Sequence, residues 1–280
     1  MVVIGFIGSV FSPYYASARR KGRQDPYNHC AMNAIIYGPD RKHWAMTERT
    51  WHQSAAIEGG IRVGPSQMQW VDDKLVVDID EWTNPLPRRL RGRIEITPES
   101  LTRTGYVLHT NGRHVWWPAA PLGRASVTFS HPGFAFSGSA YIDTNFGDEP
   151  LEAGFDYWDW SRAEHPGTRP HDITYHLRQR DGAERTLALH RGDDGQLQQV
   201  PPPAIQTIKR SAWFVDREIC ADGNVAAVKT LEDTPFYARS RVTINDNSND
   251  HVVMHEALSL KRFSARWVQT LLPFRMPRRG

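Results

Sequence analysis

Tyr141, Asp143 and Asn145 occupy alternate positions in SGSAYIDTNFGDEP (137–150). In a β-strand their side chains share one face, and Ala140 and Ile142 take the other. That face carries a carboxyl group between a phenol and an amide, in a stretch with no Lys or Arg to neutralise it. In NGRHVWWP (111–118), His114 and Trp116 alternate in the same way with Val115 and Trp117. Gly123 and the alternating run 124–130 separate the two stretches, so they can lie close together in one antiparallel sheet. An imidazole, an indole, a phenol and a carboxyl group brought together would suit proton transfer. A structural hydrogen-bond network would leave the same pattern, and spacing alone does not separate the two.

Two further stretches carry polar groups at telling intervals. FDYWDWSR (155–162) places Tyr157 and Asp159 on one strand face and Trp158 and Trp160 on the other. Its indoles suit a core or a pocket wall. Trp117, Asn145, Tyr157, Trp158 and Trp160 are the candidates for contacting a bound substrate. In HVVMHEAL (251–258), His251, His255 and Glu256 have a spacing like that of metal ligands. No third nitrogen or sulfur donor stands at a persuasive distance, so the sequence predicts no metal. Neither a GxGxxG turn after a strand nor a Walker sequence is present, which argues against a dehydrogenase or a kinase.

The elements that must hold these groups read as strands. Leu75, Val77 and Ile79 interleave with Val76, Asp78 and Asp80; Ile94 and Ile96 alternate with Arg93 and Glu95; Val127 and Phe129 alternate with Ser126 and Thr128. Turn signals punctuate the runs at 72–73, 110–113, 181–182 and 192–195. Many short strands with regular turns predict an all-β chain of antiparallel barrels or sandwiches. A boundary near Gly147–Asp148 divides it into 1–148 and 149–280. The opening MVVIGFIGSVF reads as a buried strand, too short to span a bilayer. Leu260, Phe263, Trp267 and Leu271 recur at three- and four-residue steps and predict a short C-terminal helix that Pro273 stops.

Composition narrows the class. The 280 residues are 40% hydrophobic and include ten Trp, nine Tyr and eleven Phe, a supply of rings that suits a core or a cavity for something large and apolar. A formal charge of +3 gives no reason to expect a nucleic-acid partner. Basic residues cluster at 18–23, 87–93 and 274–279, as solvated loops or as a weak attraction to an anionic membrane. Cys30 and Cys220 stand too far apart in sequence to read as a disulfide framework, and a reducing cytoplasm is the natural compartment.

The stretches GFIGSVFSPYYASARRKGRQDPYNHCAMNAIIYGP, WAMTER, VGPSQMQW, VVDIDEWTNPLPRRLRGRI, GRHVWWPAAP, GSAYIDTNFGDEPLEAGFDYWDWSRA, LEDTPFYARS and HEALSLKRF together resemble the acyclic carotenoid hydratases, or hydroxyneurosporene synthases. The resemblance runs from about residue 5 to the C-terminus. It implies two lipocalin-like antiparallel β-barrels in tandem and hydration of the terminal isoprenoid double bond of neurosporene or lycopene. It implies no metal and no organic cofactor. By the same resemblance His114, Trp116, Tyr141 and Asp143 fall on essential positions, with Asp143 as the proton donor. The partners are then an acyclic C40 carotenoid, water and, by peripheral contact, the inner or photosynthetic membrane.

That chemistry sets physical demands. Protonating the trisubstituted alkene gives a tertiary carbocation, which water captures as a tertiary alcohol. A carboxylic acid with an ordinary pKa of about 3.9 is ionised at neutral pH, and lifting it to about 7 is within reach of full burial. Asp143 is therefore expected to be buried and without a cationic partner, with the faces of Trp116 and Tyr141 beside the developing cation. His114 is expected to be neutral, either orienting Asp143 or taking a proton from water. A non-catalytic carrier of an apolar lipid, or a cyclase on the same fold, would use a similar cavity without needing the acid.

Overall fold

The computed structural model describes residues 1–280 apart from 39–40, 165–170 and 247–249. Its elements are mostly strands, as the alternation predicts. They separate into two compact units that are not contiguous in sequence. One holds Met1–Glu99, Gly123–Tyr141 and Gln269–Gly280, and the other holds Ser100–Leu122 and Ile142–Val268. The long strands His114–His131 and Gly133–Gly147 each give one end to each unit.

In the first unit, Val2–Phe6, Cys30–Tyr37 and Lys42–Arg49 form an antiparallel sheet, and Arg278–Arg279 adds to it in parallel. The opening strand is at the edge and half-buried, not buried as expected, because only one neighbour covers it. A second sheet runs in the order Gly133–Gly147, His114–His131, Arg89–Pro98, Lys74–Trp82, Ser66–Val71, Gly60–Val63 and Ser54–Ile57. Leu75, Val77 and Ile79 are buried on one of its faces, opposite or beside Ile94, Val127 and Phe129. The basic run 87–93 is not a loop. Arg89 and Arg93 lie on a strand, and their guanidinium groups reach Asp80 and Asp78 on the neighbouring strand at 2.5 and 2.6 Å. Opposite charges across a strand pair add a modest stabilisation, which explains the clustering. In the run 18–23, residues 18–20 belong to the helix Pro13–Arg20, capped by Ser12, whose Oγ accepts from the Tyr15 amide at 2.9 Å.

The second unit is built on a seven-stranded antiparallel sheet in the order Leu197–Val200, Glu184–Arg191, Ile173–Gln179, Phe155–Ala163, Asp250–Ser259, Tyr237–Asn245 and Asn224–Asp233. A separate pair, Ile205–Ile208 with Arg217–Cys220, packs on its central strands. Along Phe155–Ala163 the odd-numbered residues are buried and the even-numbered ones half-buried. That strand therefore has two distinct faces. Cys30 and Cys220 are free and buried.

The C-terminal helix is broken. Leu260–Phe263 and Arg266–Arg275 are separate segments, and Pro273 lies within the second instead of ending it. Pro273 removes one backbone hydrogen bond near the end of this helix, which stops two residues later at Arg275. The break also changes the phase of the apolar stripe. Leu260 and Phe263 are buried, but beyond the break Val268 and Leu272 face inward while Trp267 and Leu271 are exposed. Among the described residues no helix is long and apolar enough to cross a membrane.

Candidate active site

Strand alternation sends His114 and Trp116 to one side of His114–His131, where they are 3% and 0% exposed. Trp117, on the other side, is half-buried and donates its indole N–H to Thr102 Oγ1 at 3.0 Å, bracing the strand. The Trp116 indole N–H donates to Asp143 Oδ2 at 2.9 Å. This bond joins the two stretches whose spacing carries the chemistry.

Rings surround the pair. Tyr175 meets Trp116 edge-on, with centroids 5.3 Å apart, and Tyr106 lies 5.7 Å from it on the other flank. Trp158 packs edge-on to Tyr175 at 5.9 Å, and Phe155 continues the chain of rings to His114 at 4.8 Å. Trp160 pairs in register with Tyr175 and with Glu256, so it shares their strand face. Burial pushes the Tyr175 hydroxyl well above its usual range, and the carboxyl groups of Asp143, Glu256 and Asp159 push it the same way. Tyr175 therefore stays a neutral phenol.

His114 Nε2–H donates to Glu149 Oε1 at 3.0 Å, which leaves Nδ1 as the basic nitrogen. Arg113 Nη1 holds the other Glu149 oxygen at 2.9 Å, and Asn111 donates to Oε1 at 3.0 Å. Burial alone would raise Glu149, but Asn111, Arg113 and His114 together keep its carboxyl below the ordinary range. Two glycines make room for the imidazole. A Cβ on Gly147 would stand 2.5 Å from the Arg113 carbonyl and 3.0 Å from Nδ1; one on Gly154 would stand 3.0 Å from Nε2.

Burial also lowers the His114 pKa, against an opposing pull from Glu149. The net shift is downward, so the ring is neutral at and above pH 6.5 and binds its proton only in more acid solution. The unfolded chain then binds more protons than the folded one just below pH 6.5, and stability falls as the pH drops through that range. An NMR titration of the His114 ring is expected to give a midpoint below 6.5. A midpoint above it would show that Glu149 outweighs burial.

Several positions depart from the sequence reading. Asp143 is exposed, not buried, because the second-unit end of its strand, 143–147, is open to solvent throughout. His114 is bonded to Glu149, and Asp143 accepts from Trp116. Asn145 is exposed on the same strand face as Asp143. Tyr141, two residues before Asp143, is half-buried and is the last residue of its segment of the first unit. Tyr157 is not brought to this group. It lies on the opposite strand face from Trp158 and Trp160, with its hydroxyl accepting the Glu218 amide at 3.1 Å. His251, His255 and Glu256 do not converge: they bond respectively to Asp246, the Glu218 carbonyl and Arg239.

Spacing missed Glu149, Phe155, Tyr106 and Tyr175. Glu149 had a local signal, since it follows the Asp143 strand immediately in GDEP. Tyr175 and Tyr106 had none without the strand pairing. In the first unit, two surface hollows of about 540 Å³ are lined by groups such as Lys74, Asp78 and Arg93, or Arg62, Asp80 and Arg89. Neither lining suits a hydrocarbon.

Residues 3–280 match the family model described as carotenoid hydratase CrtC. The chain is 43% identical over 284 residues to the acyclic carotenoid 1,2-hydratase of Thiocapsa roseopersicina, an alignment covering all of this chain and 69% of that protein. It is 39% identical to the acyclic carotenoid 1,2-hydratase of Rubrivivax gelatinosus, covering all of this chain and 70% of that one. To the protein of the same name from Cereibacter sphaeroides it is 37% identical, across 99% of this chain and 98% of that one. No solved structure matches.

Proposed function

The chain belongs to the carotenoid hydratase CrtC family, a family of hydro-lyases in carotenoid biosynthesis, and on that premise we propose that it adds water across the terminal isoprenoid double bond of an acyclic carotenoid of the neurosporene or lycopene type. Asp143 is the acid. With Oδ2 occupied by the Trp116 N–H, the proton resides on Oδ1 and passes to the less substituted alkene carbon. The carboxylate left behind keeps the indole N–H, which stabilises its charge. Water then attacks the tertiary cation and gives up a proton either to the Asp143 carboxylate itself or to neutral His114, which releases it to solvent while the carboxylate takes one up, so the acid is restored and the net reaction consumes alkene and water only.

Exposure of Asp143 assigns part of the work to the substrate. A C40 polyene is about as long as the roughly 30 Å core of a bilayer, and its end group carries only hydrocarbon. Docked over the open end of strand Gly133–Gly147, it removes water from the carboxyl group and favours the neutral acid. Trp158, Tyr175 and Trp116 supply polarisable surface on the same side, Tyr141 belongs to the same strand face as Asp143, and Asn145 contacts the substrate from that face. We read the sheets as walls of two lipocalin-like barrels, a layout that gives a long apolar molecule an interior to enter. No cofactor takes part in this scheme.

Delivery from a membrane has a surface to support it in the second unit. Trp213, Phe214 and Trp267 are exposed, Trp213 and Trp267 are stacked 6.4 Å apart, and Arg262 lies over Trp267 with Lys261 and Arg266 beside it in sequence. Aromatic rings with basic neighbours suit the headgroup region of an anionic leaflet, so the protein works at the cytoplasmic side of the inner or photosynthetic membrane.

The single observation that carries the reading is the Trp116–Asp143 hydrogen bond within its ring of aromatics. Purified protein incubated with lycopene in detergent and heavy water is expected to yield a tertiary alcohol with one non-exchangeable deuterium on the neighbouring carbon. Binding of lycopene without any conversion would instead establish a carrier.

A further inference from the structure

On the sheet face opposite Trp158 and Trp160 lies a second cluster that the hydration scheme does not use. We propose that Asp159, His176 and Glu218 form a binding site for one divalent transition-metal ion of the zinc or manganese class. Their ligand atoms all lie within 4.8 Å of one another. Asp159 and His176 are direct cross-strand partners on Phe155–Ala163 and Ile173–Gln179, and Glu218 reaches them from the strand Arg217–Cys220.

The state of these atoms points to a cation site. Asp159 is 0% and His176 1% exposed. Neither Asp159 oxygen nor His176 Nε2 has a hydrogen-bond partner among the described residues. A buried carboxylate needs donors, and a buried carboxylic acid needs an acceptor for its O–H; neither is provided, which is costly for a group out of water. His176 Nδ1 lies 3.0 Å from Thr186 Oγ1. If Nδ1 donates its hydrogen there, Nε2 is left with its lone pair directed at the two carboxyl groups. A second partner that fixes the ring in this way is the usual support of a metal-bound histidine.

Charge argues the same way. Arg178 reaches Glu218 at 3.1 Å but also holds Glu184 at 2.9 Å, so one guanidinium serves two carboxylates and Asp159 receives little of it. A dication offsets the buried Asp159 carboxylate and the half-buried Glu218 carboxylate directly. Nitrogen and oxygen ligands bind zinc at about 2.0–2.2 Å, which requires the donors to draw together to about 4 Å or less. The necessary closing is a few tenths of an ångström to an ångström, within the reach of side-chain rotation. Such an ion would tie three strands together on the face away from Asp143, a structural role with water in its remaining position.

The test uses the full chain after removal of metals by chelation and gel filtration. Titration with Co²⁺, followed by its visible absorption, and competition with Zn²⁺ are expected to show one saturable site per chain. Asp159→Asn and His176→Gln are each expected to abolish the cobalt spectrum. Thr186→Val retains all three ligands and is expected to weaken binding about 10- to 100-fold, so it tests the site even where a ligand variant fails to fold. In the wild type, Zn²⁺ is expected to raise the melting temperature and a chelator to reverse it. Wild-type protein that binds neither Co²⁺, Zn²⁺ nor Mn²⁺ would overturn the proposal, as would unchanged cobalt binding in a folded Asp159→Asn variant.

Discussion

Asp143→Asn leaves the fold intact and removes hydration. Because Asp143 is exposed, the substitution creates no cavity, and the asparagine carbonyl still accepts the Trp116 N–H that now binds Oδ2 at 2.9 Å. Melting temperature and circular dichroism are therefore expected to match the wild type. The amide has no proton acidic enough for an alkene. General acids contribute about 10²–10⁴ in rate, and this reaction has no pathway without one, so the loss should lie at or beyond the upper end. Asp143→Glu keeps the acid but moves it by one methylene, and partial activity is expected. Measured by formation of the tertiary alcohol, an Asn variant as fast as wild type would remove Asp143 from its place, and the acid would have to be sought among the other carboxyl groups.

Exposure sharpens this expectation. An acid that is solvated in the chain alone and dry under its substrate should pass its proton only when hydrocarbon covers it. This couples proton transfer to correct docking. On the proposed role, the place of the carboxyl group near the open end of a strand lets a bulky end group reach it, while its partner Trp116 is completely buried.

Alternation made the strands legible: Leu75, Val77 and Ile79 point inward as their spacing requires, and Trp158 and Trp160 separate from Tyr157 and Asp159 along Phe155–Ala163. The same rule brought His114 and Trp116 to one face and made a meeting with Asp143 plausible. Three things did not follow from it. Solvent exposure of Asp143 depends on what covers its strand, which is a property of the whole sheet. Partners such as Glu149 for His114 and Tyr175 for Trp116 depend on pairing between segments 35 and 59 positions apart, to which local periodicity is blind. The inward face of the last helix depended on the break after Phe263, which reset the phase that Leu260 and Phe263 had established. The candidate substrate residue Tyr157 shows the limit most plainly. Its strand and face were legible, but which face the aromatic cluster occupies was not.

Trp116 separates the two contributions an indole can make. Trp116→Phe keeps an aromatic ring between Tyr106 and Tyr175 but deletes the N–H that holds Asp143. A hydrogen bond to a charged group contributes about 1.5–3 kcal/mol, so the hydration rate is expected to fall about 10- to 100-fold with the substrate KM little changed. Trp116→Ala deletes the ring as well. Trp116 is among the largest fully buried side chains, and a truncation of this kind costs about 3–5 kcal/mol of stability, read as a lower denaturant midpoint. If the phenylalanine variant retained the full rate, the indole would act through its ring alone, and the carboxylate formed after proton transfer would need no donor from this strand. If instead its rate fell to that of Asp143→Asn, the N–H would be required for placing the acid at all. The intermediate outcome is expected, because Asp143 belongs to its own strand and keeps its backbone position when the N–H is lost, while the anion left by proton transfer keeps water as a weaker donor.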